Sequence, residues 1–229
     1  MPQRLQRPQV TDRDLDQGVR VPRRSRRARR ALNHIALGSA SLVACAAIFA
    51  AVDSRDAVFR ASIATAYVGL VLLAGTLAFG PIAALGGRRY PVSTDIRRDF
   101  GIWSAIIAIG HVAFGLQVHL RGKMWEYFVR PLKGVLLPRI DPFGAANYAG
   151  LGAVAILIAL LATSNDVSLR RLGSTRWQRL HDFATWALVL TVVHGATYQF
   201  VEQRSWEFVV LFGTLSIAGA WPRLVRHRR

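Results

Sequence analysis

The stretch "RWQRLHDFATWALVLTVVHGATYQF", residues 176–200, decides how the chain is read. It is apolar over about the length of a bilayer span, yet it carries two histidines thirteen positions apart, His181 and His194. An imidazole in hydrocarbon needs a partner, and ionisable side chains within spans tend to mark functional paths. The question is what these two are kept for.

The surrounding composition sets the frame. The chain has 229 residues, is 52% hydrophobic and carries a formal charge of +17, from 30 Lys and Arg against 13 Asp and Glu. Soluble domains of this size seldom combine the two. Here they are segregated: apolar stretches alternate with short arginine-rich connections, whereas a nucleic-acid binder would interleave basic residues with a soluble core. The charge therefore reads as membrane topology. Cys45 is the one cysteine, which excludes intramolecular disulfides, cysteine-ligated clusters and covalent attachment of c-type haem. The "LVAC" before it resembles a lipoprotein cleavage box, but the following "AAIFAAV" stays apolar where a processed lipoprotein turns polar.

Six apolar segments, at about 31–52, 59–85, 99–120, 145–164, 177–200 and 205–222, each approach the ~20 residues that cross a bilayer. The expected architecture is all-α, a six-span transmembrane helical bundle. Residues 1–30, with ten arginines and three aspartates, read as a disordered basic cytoplasmic arm that contacts anionic lipid, and 223–229 as a basic cytoplasmic tail. "RRSRRARR" has the look of a twin-arginine export signal, but the long apolar run behind it favours a retained first span. The arm, the loop with Arg88, Arg89, Arg97 and Arg98, the loop with Arg170, Arg171 and Arg176, and the tail share one side, although the connection after the third span also carries Arg121, Lys123, Arg130, Lys133 and Arg139. By the positive-inside rule both termini are expected in the cytoplasm, with the protein multi-pass in the inner membrane.

Three histidines fall in expected spans: His111, His181 and His194. Each has a plain reading as an interhelical hydrogen-bonding group. Counted from the span starts at ~1.5 Å per residue, His194 lies roughly 25 Å and His111 roughly 18 Å from the cytoplasmic side. Imidazoles at comparable depth on two helices suit axial ligation of a haem iron. Gly110, Gly115 and Gly195 beside them would let a flat macrocycle approach the backbone. His181, about 6 Å inside the cytoplasmic end, has no histidine opposite it. A single-histidine haem, a haem with another ligand and a structural histidine all stay open for it. An ideal helix would turn His181 and His194 to different faces, so serving one bundle requires a local distortion or two different gaps. His119 could replace His111 or face an outer partner; His34 and His227 read as interfacial.

The stretches "RRDFGIWSAIIAIGH" (97–111) and "LLATSNDVSLRRLGSTRWQRLHDF" (160–183), with the His181 to His194 spacing, resemble the ferric reductase-like transmembrane domain family over about residues 58–222. Within it the pattern is similar to the MsrQ type, the haem-binding membrane subunits of periplasmic methionine-sulfoxide reductase systems. The resemblance implies one or two b-type haems bound non-covalently in residues 31–222, with His111, His181 and His194 as iron ligands. Larger members carry a second histidine on span three, fourteen positions from the first, where this chain has Arg97 or Trp125. They also continue into flavin and nicotinamide domains, and this chain is not expected to oxidise a nicotinamide by itself.

The function so implied is an electron-transfer subunit of an oxidoreductase system rather than a stand-alone enzyme. A cytoplasmic flavin (FMN) reductase or the quinone pool donates, and a periplasmic molybdoenzyme that reduces oxidised methionine accepts. Arg98, Arg176 and Arg179 are candidates for neutralising haem propionates, against a plain role as topology-setting charge. The rivals are a ferric reductase-like carrier with another acceptor and a non-redox structural or transport protein. No pair of broken, repeated spans favours transport, and nucleic-acid binding leaves six spans unexplained.

Overall fold

The computed structural model describes residues 23–85 and 94–226. The arm up to residue 22, the loop 86–93 with Arg88 and Arg89, and His227 lie outside the described residues. The helices are α1 (Arg23–Ala51), α2 (Ala57–Leu85), α3 (Thr94–Gly115), α4 (Pro142–Thr163), α5 (Asp166–His181), α6 (Ala184–Val201) and α7 (Trp206–Arg226). Six of them match the six expected segments. The chain is thus a multi-pass helical membrane protein, and α1, α2 and α4 each contain 22 or more residues apolar enough to cross a bilayer on length and composition alone. α1 begins at Arg23, so helix extends into the stretch read as arm.

α2 runs at the centre, packed against α1, α3, α6 and α7, while α4 pairs with α6. Leu70, Leu73 and Leu77 of α2 meet Ala105 of α3, Leu157 and Leu160 of α4, and Ala184, Ala187 and Leu188 of α6 in one buried cluster. Alanines at these contacts bring backbones close, which is how helices associate where lipid removes the hydrophobic drive. α1 is held differently. Asp99 of α3 is fully buried and accepts from Arg30 Nη2 at 3.1 Å and Asn33 Nδ2 at 3.5 Å, with His34 Nε2 at 3.2 Å. His34, read from sequence as interfacial, therefore faces a buried carboxylate.

Two local features depart from the sequence reading. The connection after α3 contains a 3-10 turn (Met124–Tyr127) and an antiparallel hairpin, β1 (Val129–Leu132) and β2 (Val135–Pro138). Lys133 and Gly134 turn it with φ of 48° and 80°, the positive pair that matches strand twist in a two-residue loop. The second departure bears on the site. Span five begins at Ala184, not at residue 177, because residues 173–182 are too polar for hydrocarbon. Residues 173–181 belong instead to α5, with Asp182 as its C-cap; the helix is capped at its start by the Asn165 side chain accepting from Ser168 N at 2.8 Å and interrupted at Gly173 (φ 73°).

Candidate functional site

His111 comes from the last third of α3 and His194 from the middle of α6. Their ring centroids are 6.1 Å apart, with the planes at 74°. The Nδ1 of His111 lies 3.0 Å from Ser62 O of α2, and the Nδ1 of His194 lies 2.8 Å from Ala146 O of α4. A carbonyl only accepts, so each Nδ1 carries the proton and donates. Each Nε2 is then left with its lone pair. A metal-ligating histidine is typically fixed in this way, its other nitrogen donating to a backbone carbonyl or carboxylate.

The spacing suits a shared ion. With metal–nitrogen bonds of about 2 Å and each ring nitrogen about 1 Å from its centroid, two imidazoles on opposite sides of one ion stand with centroids roughly 6 Å apart. The described residues hold no group of three or more His, Cys, Asp or Glu side chains placed for a metal ion. Two imidazoles alone do not complete the shell of a bare zinc ion. The pair therefore fits an ion whose remaining ligands arrive with it.

Both rings line one cavity of about 270 Å³, walled mainly by α2, α3, α4 and α6 and extending to the hairpin end of the bundle. Its walls are predominantly apolar, among them Leu70, Leu73, Val154 and Leu157. Gly150 lies against His194, where a Cβ would come 2.8 Å from Nδ1. The sequence reading missed this glycine and chose others. Of those, Gly115 does adjoin His111, Gly195 instead receives Phe212, and Gly110 has nothing within 4 Å. The carbonyl partners carry no sequence signal at all, since every residue of every helix has one.

His119 also lines the cavity. Its Nε2 is 3.0 Å from Glu202 Oε1, and its backbone N–H donates to Tyr127 Oη at 3.0 Å. Tyr198, whose ring centroid is 4.9 Å from that of His194, donates to Asn147 Oδ1 at 2.9 Å. None of these partners was identified from the sequence.

His181 is not brought to the pair. It ends α5, separated from α6 by a tightened turn in which Phe183 N donates to Leu180 O and Thr185 N to Asp182 O. Of the two possibilities the spacing left open, the structure thus has both a distorted turn between the histidines and rings in different places along α4. The ring stacks on Trp177 with centroids 3.8 Å apart, and its Nε2 is 3.4 Å from Thr163 Oγ1. His194 and His181 thus face opposite ends of α4, at Ala146 and Thr163. Arg98 stands at the His181 end, donating to Ser164 O at 2.8 Å and Asp166 Oδ1 at 2.7 Å. Arg176 and Arg179 are exposed on α5. None of the three lines the cavity.

The chain is 32% identical over 139 residues to the protein-methionine-sulfoxide reductase heme-binding subunit MsrQ of Pectobacterium atrosepticum, covering 57% of this chain and 59% of that one. It is 34% identical over 125 residues to the MsrQ of Ralstonia nicotianae, covering 55% and 52%. To that of Deinococcus radiodurans it is 29% identical over 132 residues, covering 57% and 58%. The chain therefore spans under two thirds of the length of the curated relatives it matches. No solved structure matches it. Residues 61–192 match the family model described as the ferric reductase like transmembrane component, a region that holds nearly all of α2, α3 to α5 and the first half of α6, and with them Ser62, His111, Ala146 and Gly150, and that ends two residues before His194. This chain belongs to the ferric reductase-like transmembrane family.

Proposed function

We propose that the chain is a haem-binding electron-transfer subunit of the bacterial inner membrane, in which His111 and His194 would hold the iron of a single b-type haem. The observation that carries this reading is the pair itself: two imidazoles 6.1 Å apart, each with Nδ1 donated to a backbone carbonyl. The haem would supply a one-electron couple at a fixed place in the membrane. The chain's own contribution is to hold two neutral imidazoles in one tautomer, to surround the site with apolar α2 and α4 side chains that exclude water, and so to set the potential.

With the termini taken as cytoplasmic, as the distribution of Lys and Arg favours, the hairpin end faces the periplasm. The donor, a flavin reductase carrying FMN or the quinone pool, then meets the end with His181, Arg98 and Arg179. A second haem would have to use His181, with no second histidine across from it. The acceptor at the hairpin end is a methionine-sulfoxide reductase, a reading supported by the names of the relatives, and its being a periplasmic molybdoenzyme is what the family resemblance implies.

Membranes containing the protein should show a Soret band that shifts on reduction with dithionite. His111→Ala and His194→Ala should each lower haem per chain at least about tenfold, as loss of a ligand should cost no less than loss of its orienting partner. His181→Ala should leave that absorbance in place. Undiminished haem in both of the first two variants would overturn the assignment and favour structural histidines. Co-purification with a molybdoenzyme, or the lack of it, tests the acceptor separately.

A further inference from the structure

The cavity does not stop at the histidine pair. Toward the hairpin end it is walled by Tyr67, Gln199 and Arg204. Arg204 sits in the turn between α6 and α7, its guanidinium 4.7 Å from the centre of the Phe59 ring. Three other arginines near this end have acceptors: Arg60 donates to Phe49 O at 2.7 Å, Arg121 pairs with Asp56 at 3.1 Å and Arg139 with Asp141 at 3.0 Å, while Arg55 and Arg130 are exposed. Among the described residues nothing accepts from the guanidinium of Arg204. Gln199 Oε1 is buried and also lacks a partner. Its amide nitrogen is 3.4 Å from Tyr67 Oη, which itself donates to Phe208 O at 2.9 Å.

The Glu202 carboxylate acts on Arg204 through space but is engaged by His119 Nε2 at 3.0 Å, and a half-buried guanidinium with no hydrogen-bonded acceptor beside an apolar cavity is costly; such charges in membrane proteins are normally paired. Arg204 is the one Lys or Arg among the described residues that lines this cavity. Arg98 and Arg179, the cations that the sequence brought forward, stand at the other end. An arginine fork matches a carboxylate with two parallel N–H donors. A macrocycle held by His111 of α3 and His194 of α6 would carry its carboxylates within the same cavity that Arg204 lines.

We propose that Arg204 is the carboxylate-binding residue of the cavity: it receives the propionates of the macrocycle from the hairpin end. This rests on haem being held by His111 and His194. Arg204 touches the cofactor and not the iron, so its effects are on retention and potential. A positive charge beside the haem favours the reduced iron, which carries one positive charge fewer.

The test uses the full chain in detergent or nanodiscs, loaded with haem or with haem dimethyl ester, whose propionates cannot ionise. In the unaltered protein the ester should be retained about tenfold or more weakly than haem, the scale of one charge-assisted hydrogen bond. In Arg204→Gln the two should be retained alike, the loss of discrimination being the coupling term of the cycle. The midpoint potential of the haem-loaded Arg204→Gln variant should fall, Arg204→Lys should restore it in part, and Arg98→Gln and Arg179→Gln should leave it unmoved. Equal retention of haem and ester by the unaltered protein overturns the proposal even if Arg204→Gln fails to fold. So does an unchanged potential in Arg204→Gln, or a fall in Arg98→Gln or Arg179→Gln alone. A preparation that takes up neither haem nor ester refutes the ligand assignment on which the proposal rests.

Discussion

Gly150 shows how closely the His194 ring is fitted against α4. His194 is held by one hydrogen bond to Ala146 O, and Gly150, one helical turn further along α4, leaves room for the ring. Gly150→Ala would place a methyl 2.8 Å from Nδ1, closer than packed atoms tolerate, so the ring must leave its carbonyl. We expect haem per chain to fall, as judged by pyridine haemochrome, and the reduced spectrum to change. Gly110→Ala has nothing within 4 Å of the new methyl and should match the unaltered protein. Equal loss in the two variants would mean that any alanine there perturbs the bundle. The histidines themselves were legible in sequence because polar residues stand out in apolar runs. Their carbonyl partners and Gly150 were not, since only the helix pairing decides which backbone faces which ring.

At the scale of elements, the connection between α3 and α4 depends on its caps. Asp141 accepts from Gly144 N at 2.8 Å, ahead of Pro142 at the first turn of α4, a position where its missing N–H costs nothing. That hydrogen bond first, and the neighbouring Arg139 second, holds the Asp141 carboxyl below its usual range. Asp141→Ala should lower stability by about 1 kcal/mol. A group with a depressed folded value contributes above the unfolded carboxylate range and loses that contribution as pH falls through the folded value. Thermal melts of the variant and the unaltered protein should therefore differ at neutral pH and converge in acid; a gap that stays constant with pH would argue against the ionised cap. α5 was within reach of the sequence: Gln178, Arg179 and Asp182 deny the run 173–182 a place in hydrocarbon. The apolar residues after it drew the span start too early.

Over the whole molecule, α1 is tied to the bundle through charge, in contrast to the small-residue packing elsewhere. Asp99 is fully buried while Arg30 is 22% exposed, with His34 on the same carboxylate oxygen. Asp99→Asn leaves Arg30 without its counter-charge, and breaking a buried pair costs roughly 3 kcal/mol, less here because Arg30 is partly hydrated. We expect a lower melting temperature and protease access to the loop after α1, with haem still bound, because the histidine pair is carried by α3 and α6. Haem loss on a par with His111→Ala would instead make α1 part of the site.

The sequence by itself determined the number of spans, the membrane setting and the two histidines that meet, because hydrocarbon imposes length and apolarity on each segment separately. Tertiary structure alone decided that His181 stays at the opposite end of α4, that Glu202 takes His119, and that Arg204 and not Arg98 faces the cavity. Those facts depend on how helices rotate and where turns tighten, which follows from packing between distant segments rather than from any one of them.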